Sequence, residues 1–335
     1  MSVLDIAIVG ATGAVGEAVV QLLEKRDFPV KQLYLLASER TAGTSLLFNK
    51  QTVMVQDLKD FDFALVKLVI FVATDDVSEE YLPKAQASGC LVIDNSQLYA
   101  DVAPLIVPSV NGDIFAAAPT FVVNPDSNAL VLSTALKPLD EFLGISSVNV
   151  TALQSVSGLG KKAINELAAQ TASLLNGRGA ETQVFPKQIA FNVLPCVGSI
   201  DEFGHSEAEV RLEEQCRRIL GNDELPISSA SVQLPIFYSD CLAVTIETHA
   251  EVNVREIITL FENNNEFKVL DGDDVSQLAT PVTDVTGEET IFISRIRGDK
   301  RSHQRLSFWL SADNVRKSAA VNTILIAEEL IKSYL

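Results

Sequence analysis

A glycine-rich turn near the amino terminus constrains the fold of this chain more than any other feature. An apolar run, Leu4 to Val9, leads into this turn, and a helical pattern follows from Gly16 to Lys25. The turn consists of Gly10, Ala11, Thr12, Gly13, Ala14, Val15 and Gly16. A G-x-x-G-x-x-G spacing between a strand and a helix leaves backbone N–H groups that can face a pyrophosphate. We therefore predict a dinucleotide-binding loop; the alternative is a tight turn without a ligand.

The first third of the chain alternates short apolar runs with helical patterns. The predicted strands are Leu4 to Val9, Gln32 to Leu36, Leu65 to Ala73 and Cys90 to Asp94, and a helix is predicted over Val77 to Ser88. Strands that lack polar alternation and are separated by helices form parallel sheets covered on both faces. The fold class is therefore α/β, with a Rossmann-type doubly wound parallel sheet.

The pattern changes after about Asn128, where strand-like runs become longer and alternate apolar with polar residues. These runs are Ser147 to Gln154, Ser231 to Phe237, Leu242 to Glu251, Ile291 to Ile296 and Leu306 to Leu310. They predict a second, α+β domain, and a final helix over Asn314 to Tyr334 is expected to return to the first domain. For a chain of 335 residues we predict two domains, residues 1–127 plus 314–335 and residues 128–313.

Charge and cysteine content argue against several classes of protein. Asp and Glu number 44 against 26 Lys and Arg, and the net charge of −18 disfavours nucleic acid as a partner. The apolar runs are far shorter than the about 20 residues that a membrane span needs. The four cysteines form no C-x-x-C pair and have no ligand spacing to the three histidines, so we expect no metal site. With no export signal visible, we expect a cytoplasmic location.

The residues after the second predicted strand indicate which dinucleotide is bound. A site for NAD normally has an acidic residue here for the ribose hydroxyls, whereas a site for NADP has an arginine for the 2′-phosphate. Ser38, Arg40 and Thr41 favour NADP, while Glu39 keeps NAD possible. The alternative for Arg40 is an ordinary solvated surface charge.

Seven segments spread over nearly the whole chain carry a family resemblance. They are Gly10 to Gly16, Leu36 to Gly43, Val92 to Ser96, Pro104 to Pro108, Leu153 to Gly158, Ala190 to Asn192 and Ala312 to Lys317. In this order they resemble the motifs of aspartate-semialdehyde dehydrogenases. The resemblance implies a homodimer, a second domain for catalysis and dimerisation, and NADP-dependent reduction of an aspartyl phosphate through a cysteine thioester. It also implies cofactor contacts by Ala73, Ser157, Gly158 and Asn314.

The chain departs from the family at the catalytic positions. The family's Asn-Pro-Asn-Cys stretch reads Asn124-Pro125-Asp126-Ser127, so serine stands at the nucleophile position. The positions of the substrate arginine and the catalytic histidine fall on Gln233 and Asp240. The arginine that holds the substrate phosphate has no counterpart in Gln97 to Ala103, whereas the substrate-orienting glutamine remains as Gln154.

These losses act together on the chemistry. A serine hydroxyl needs an adjacent base to attack, and Asp126 would oppose the oxyanion that acyl transfer creates. Cys241, beside Asp240, is the one thiol that the resemblance places near the site, but its position in a strand is typical of a small core residue. We therefore predict a Usg-type paralogue that is cysteine-less at the nucleophile position and lacks the semialdehyde dehydrogenase activity.

Other interpretations stay open at this point. The chain could be an active NAD(P)-dependent oxidoreductase on a different, non-acidic substrate, or a non-catalytic subunit in a mixed oligomer with an active relative. Asp75 and Asp76 stand where the family has a Ser-Ala-Gly-Gly turn. Their carboxylates either weaken pyrophosphate binding or cap the following helix with the side chain turned away.

Overall fold

A seven-stranded sheet forms the centre of the first unit of the molecule. Its strands are β1 (Leu4–Val9), β2 (Val30–Ala37), β3 (Ser45–Phe48), β4 (Gln51–Asp57), β5 (Leu68–Phe71), β6 (Leu91–Asp94) and β7 (Phe121–Val123). They are ordered β3-β4-β2-β1-β5-β6-β7, and all neighbours are parallel except β3 and β4. The helices are α1 (Ala14–Lys25), α2 (Asp75–Ala87) and α3 (Pro108–Asn111). The computed structural model describes residues 3–334, apart from the side chain of Ser333, and confirms the doubly wound α/β class.

Two local features of this sheet differ from the prediction. The hairpin β3–β4 was not predicted; its turn residues Asn49 and Lys50 have φ angles of 49° and 62°, as in a type I′ turn. The apolar run Leu65 to Ala73 is longer than β5 because Phe63–Leu65 forms a 3₁₀ turn instead. In that turn the Asp62 carboxylate accepts a hydrogen bond from the Ala64 N–H at 3.0 Å.

A six-stranded mixed sheet forms the second unit and confirms the predicted α+β domain. Its strands are β8 (Ile145–Gln154), β9 (Ile227–Gln233), β10 (Asp240–Thr248), β11 (Phe267–Val269), β12 (Ile291–Gly298) and β13 (Arg305–Ala312), in the order β11-β12-β13-β10-β8-β9. Its helices are α4 (Ser127–Leu143), α5 (Gly160–Leu175), α6 (Glu207–Leu220) and α7 (Val254–Glu262). Helix α4 packs on β8, β10 and β13, α6 packs on β9, and α7 packs on β11 and β12. Strand β9 ends before the predicted run does, since Pro235 has no N–H to donate.

The edge strand β9 is covered by charged side chains of α6. The Glu213 carboxylate accepts a hydrogen bond from the Ser229 N–H at 2.9 Å, and Glu209 accepts one from the Ser231 N–H at 2.8 Å. Arg217 donates to the Leu225 carbonyl oxygen at 2.9 Å. These side chains satisfy backbone groups that a neighbouring strand would otherwise pair, which protects the edge from other chains.

The end of the chain returns to the first unit, which joins residues up to Pro125 with those from Ala319 onward, while Asp126–Ser318 form the second. The predicted final helix is divided into a π-helix, Asn314–Val321, and α8 (Asn322–Tyr334), which contacts α1, α3 and β6. The predicted boundaries, 127/128 and 313/314, therefore differ by a few residues from those of the two compact units. Among residues 3–334, no helix is long and apolar enough to span a membrane.

Candidate active site

Two glycines of the loop after β1 are required by the packing of the chain itself. Gly10 has a φ of +89°, and a Cβ atom there would lie 2.5 Å from the Val72 carbonyl oxygen. A Cβ atom on Gly16 would lie 2.4 Å from the Gly10 carbonyl oxygen. Both distances are shorter than van der Waals contact. Any residue larger than glycine at these positions would therefore force the loop away from the residue after β5 or from the start of α1.

The same loop presents the start of α1. The N–H groups of Gly10 and Ala11 both donate to the Leu36 carbonyl oxygen, at 2.9 and 3.2 Å, which fixes the loop to the end of β2. Helix α1 begins at Ala14, and its N-cap residue, Gly13, provides no side-chain hydrogen bond. The N-cap residue therefore gives the backbone N–H groups of the first helical turn no side-chain acceptor. This leaves them suited to bind an anion.

The structure brings the other predicted cofactor residues of the first unit to this loop. The hydroxyl oxygens of Thr12 and Thr41 lie 3.4 Å apart, and the Thr41 hydroxyl also donates to the Ser38 carbonyl oxygen at 3.4 Å. Ser38 and Arg40 are exposed, and Arg40 forms no ion pair with any residue in 3–334. Ala73 follows β5, with its nitrogen 3.1 Å from a Cβ atom built on Gly10.

Neither Asp75 nor Asp76 caps the helix that follows, so that expectation is wrong. The N-cap of α2 is Thr74, which makes no side-chain capping hydrogen bond, and both aspartates lie in the first turn. Negative charges in this turn are favourable because they face the positive end of the helix dipole. The Asp75 carboxylate accepts a hydrogen bond from the Gln97 N–H at 3.3 Å.

Part of the family motifs forms a buried framework in the first unit. The Asp94 carboxylate accepts hydrogen bonds from the Ser78 hydroxyl at 2.9 Å and the Ser96 hydroxyl at 2.6 Å. Its burial raises the pKa of Asp94 above the ordinary value. Asn124 donates to the Asn95 side-chain oxygen at 2.9 Å. These contacts hold the loops after β6 and β7 together.

In the second unit, three of the predicted catalytic positions meet at one end of the sheet. Gln154 and Gln233 are register partners at the ends of the parallel strands β8 and β9. Asp240 is the first residue of β10. The register of β10 pairs Cys241 with Leu153, which puts Asp240 beside Gln154, and both lie on the sheet face that α4 covers. The Gln233 side chain is 2% exposed and donates to the Gln154 carbonyl oxygen at 2.8 Å. Its amide is thus used within the sheet.

Asp240 is a buried carboxyl group that titrates near neutral pH. It is 8% exposed, and its Oδ1 accepts hydrogen bonds from the Ser155 N–H at 2.8 Å and the Ser155 hydroxyl at 2.9 Å. Burial, together with the negative charges of Asp126 and Asp313, raises the pKa of Asp240 to about 7 against the opposing effect of the Ser155 hydrogen bonds. This group can therefore gain or lose a proton near physiological pH.

Ser127 is the first residue of α4 and has no activating base. Asp126 is the N-cap residue: its carboxylate accepts a hydrogen bond from the Asn128 N–H at 2.9 Å, and its own N–H donates to Gln215 at 2.8 Å. The Ser127 hydroxyl oxygen is buried and has no hydrogen-bond partner within residues 3–334. A serine that no base contacts is a weak nucleophile.

None of the four cysteines offers a thiolate as an alternative nucleophile. Cys241 is buried, with its sulfur 3.2 Å from the Ser311 hydroxyl oxygen, and burial raises its pKa to about 12. Burial likewise raises the pKa of Cys90, Cys196 and Cys216. All four thiols therefore stay protonated at neutral pH, whereas nucleophilic attack needs the thiolate. In the part of the chain that the structure describes, no group of three or more His, Cys, Asp or Glu residues could hold a metal ion.

A buried polar network joins Asp240 to the cofactor residues predicted in this unit. The hydroxyl oxygens of Ser155 and Ser157 lie 3.0 Å apart, and the Asn314 side chain contacts the Ser157 hydroxyl at 2.9 Å. A Cβ atom on Gly158 would lie 4.0 Å from the Asn314 amide nitrogen. The sequence prediction did not include Ser155, although it stands between Gln154 and Ser157 in a motif that carried the resemblance.

Comparisons with known proteins cover nearly the whole chain. Residues 5–118 match the model of the semialdehyde dehydrogenase NAD binding domain, and residues 136–317 match that of the semialdehyde dehydrogenase dimerisation domain. An aspartate-semialdehyde dehydrogenase of Legionella pneumophila is 40% identical over 99% of this chain and 97% of its own. A USG-1 protein homolog of Pseudomonas aeruginosa is 40% identical over 99% of each chain. The crystal structure of aspartate semialdehyde dehydrogenase II complexed with ASA from Vibrio cholerae superimposes with a TM-score of 0.96, at 37% identity and full coverage of both chains.

Proposed function

This chain belongs to the semialdehyde dehydrogenase family, and from that premise we propose that it is a Usg-type paralogue that binds NADP(H) and lacks aspartate-semialdehyde dehydrogenase activity. The observation that carries this proposal is the state of the nucleophile position. Ser127 stands there with a buried hydroxyl that has no hydrogen-bond partner in residues 3–334. Acyl transfer through this residue would need a base within hydrogen-bond distance.

The neighbouring positions support the same conclusion. Gln233 is uncharged and its amide donates to the Gln154 carbonyl oxygen, so it offers a substrate carboxylate neither the charge nor the paired donors of an arginine. Ionised Asp240 and Asp126 would place negative charge where an acyl phosphate brings more. Like charges about 4 Å apart at an effective dielectric of about 20 repel by about 4 kcal/mol. An anionic substrate of the family reaction is therefore disfavoured.

The residues of the nucleotide loop fit NADP(H). The start of α1, with no capping side chain, suits a pyrophosphate, and exposed Arg40 beside Ser38 suits a 2′-phosphate. Ala73 borders this loop, and Ser157, Gly158 and Asn314 are the proposed contacts of the second unit. When bound, the cofactor would supply hydride transfer.

Because a charge-assisted contact contributes about 1.5–3 kcal/mol, Arg40→Ala should remove a roughly 10- to 100-fold preference for NADPH over NADH in a fluorescence titration. Equal affinities in the unaltered protein would refute the role of Arg40.

An activity assay tests the proposed inactivity. Phosphate-dependent NADP reduction with aspartate semialdehyde should be undetectable for the purified chain and for Ser127→Cys alone, because Gln233 and Asp240 would still occupy the arginine and histidine positions. Adding Asp126→Asn, Gln233→Arg and Asp240→His should recover more than the single gains combined, since groups acting as a unit are non-additive. Ordinary turnover, about 1 to 1000 per second, by the unaltered chain would overturn the proposal.

One observation favours a second candidate function. A carboxyl group that titrates near neutral pH, Asp240, adjoins the proposed cofactor contacts, and a general acid or base acts best in this pH range. An oxidoreductase acting on a different, non-acidic aldehyde without a covalent intermediate would use such a group. Oxidation of NADPH by any member of a panel of neutral aldehydes, lost in Asp240→Asn, would favour this function.

We also propose that the chain forms a homodimer through the second unit. We propose a cytoplasmic location, where its four free cysteines would stay reduced. The face of the second sheet opposite α4 carries partly exposed small residues, among them Ala243, Thr245 and Ser307, with Trp309 between them. Because these side chains are partly exposed in the described part of the chain, this face is suited to a second copy. Light scattering of the purified chain tests this, and co-purification with an active relative would instead favour a mixed oligomer.

A further inference from the structure

The side chains around Asp240 form one connected chain of hydrogen bonds that ends at proposed cofactor contacts. Ser155 donates its N–H and hydroxyl to Asp240, and its hydroxyl lies 3.0 Å from that of Ser157 and 3.4 Å from the Asn314 side-chain oxygen. The same Asn314 oxygen accepts the Ser239 N–H at 3.1 Å. Because the Ser155 hydroxyl gives its one proton to Asp240, the connection from Asp240 to Asn314 runs through two hydroxyl groups, those of Ser155 and Ser157.

Two charged groups, on different segments of the second unit, act on Asp240. Asp126, at the start of α4, and Asp313, after β13, both oppose its ionisation. Cys241, the next residue of β10, carries a neutral thiol since its pKa is raised to about 12. The Asp313 carboxylate is itself held by the N–H groups of Gly287 at 2.7 Å and Arg316 at 2.8 Å. Asp240 is thus a buried acid whose ionisation would be favoured by a positive charge arriving from a ligand.

We propose that Asp240 is a positioning residue that makes the choice between oxidised and reduced cofactor depend on pH. The inference rests on the proposed binding of NADP(H) at Ser157 and Asn314. Oxidised cofactor carries a positive charge on its nicotinamide ring and reduced cofactor does not. The ionised carboxylate therefore favours NADP⁺, and the neutral carboxyl removes this preference. By linkage, binding of NADP⁺ releases protons from the protein.

Calorimetric titrations with NADP⁺ and NADPH between pH 5.5 and 8.5 test this. The ratio of the two dissociation constants cancels the titration of the 2′-phosphate, which both forms share. We expect the preference for NADP⁺ to increase about tenfold over this range, equivalent to a shift of one pKa unit. Titrations in buffers of different ionisation enthalpy should show more protons released with NADP⁺ than with NADPH, the difference being the contribution of Asp240.

Three variants separate this linkage from a structural role. Asp240→Asn should make the ratio independent of pH. Asp126→Asn keeps a good N-cap but removes a negative charge that raises the pKa of Asp240. The pH at which the ratio of dissociation constants is half changed should therefore become lower. Glu141→Gln removes an equal charge near the other end of α4 and should leave the profile unchanged.

The outcomes distinguish the inference from the proposed function. Binding of both forms with a ratio that does not change with pH would overturn the role of Asp240 and leave cofactor binding standing. An unchanged midpoint in Asp126→Asn would overturn it too, even if Asp240→Asn failed to fold. Failure of both forms to bind would refute the proposed function, and this inference with it.

Discussion

A buried carboxyl group such as Asp240 makes the stability of the second unit depend on pH. Its pKa is raised from 3.8 to about 7 in the folded chain, mainly by burial. The neutral form stabilises the fold, so its contribution is fully present below the unfolded pKa, about 4, and is lost as the pH rises through about 7. A shift of about three units corresponds to at most about 4 kcal/mol.

Replacement of Asp240 by Asn should therefore stabilise the second unit at alkaline pH. Asn can accept the same Ser155 hydrogen bonds without carrying a charge, and its advantage should grow by about 2 to 3 kcal/mol between pH 5 and pH 8. The single tryptophan, Trp309, lies on β13 and reports urea unfolding of this unit. Glu141→Gln is the control. An advantage of equal size at both pH values would show that Asp240 does not titrate in this range.

At the residue scale, the sequence located the substituted positions but not the hydrogen bonds that they make. Gln154, Gln233 and Asp240 do meet at one sheet end, although their roles in binding stay predictions. The hydrogen bond from Gln233 to Gln154 depends on the register of strands β8 and β9, about 80 residues apart in sequence. Local sequence patterns carry no information about such a contact.

Among the elements, α5 holds an irregular segment of the second unit through two buried polar side chains. The Glu166 carboxylate, 7% exposed, accepts hydrogen bonds from the N–H groups of Val184 and, at 3.1 Å, Gln183. The Gln170 side-chain oxygen accepts the Ile189 N–H at 2.9 Å. Residues 183–190 lie outside helices and strands, so these side chains replace the partners that regular structure would provide.

Glu166→Ala should release this segment without unfolding the second sheet. The partly buried N–H groups of Gln183 and Val184 would lose their acceptor, at a cost of at most about 1–3 kcal/mol each. We expect faster hydrogen exchange at the amides of residues 183–185, with the amides of β10 unchanged. Glu181→Ala removes an exposed carboxylate from the same segment and should leave exchange as it is. Unchanged protection in Glu166→Ala would show that solvent replaces the carboxylate at little cost.

Elements with strong apolar patterns were predicted best, and those determined by turns or by distant partners were not. Strands β5 and β6 are buried throughout, which their continuous apolar runs indicated. The hairpin β3–β4 exposes apolar residues such as Leu47 and Met54, so its alternation of apolar and polar residues is weak. The sequence feature that indicates this hairpin is the Asn49-Lys50 turn.

At the scale of the whole molecule, the proposed dimer depends on the face of the second sheet opposite α4. A net charge of −18 on each chain opposes association, so a dimer needs close packing at a face of low negative charge. Ala243 pairs with Trp309, and Thr245 pairs with Ser307, across the central strands β10 and β13. These short side chains let a second sheet approach closely, and Arg305 already neutralises Glu247 at 2.6 Å.

Ala243→Arg should therefore convert the dimer into monomers. The substitution places a long, charged side chain at the centre of the proposed interface, where burying it without a partner costs several kcal/mol. Sedimentation or light scattering over a range of concentrations would measure the change. Ala87→Arg introduces the same side chain at an exposed position of α2 in the first unit and should leave the mass unchanged. A dimer that persists in Ala243→Arg would place the interface elsewhere. If Ala87→Arg dissociated it instead, assembly would depend on the first unit.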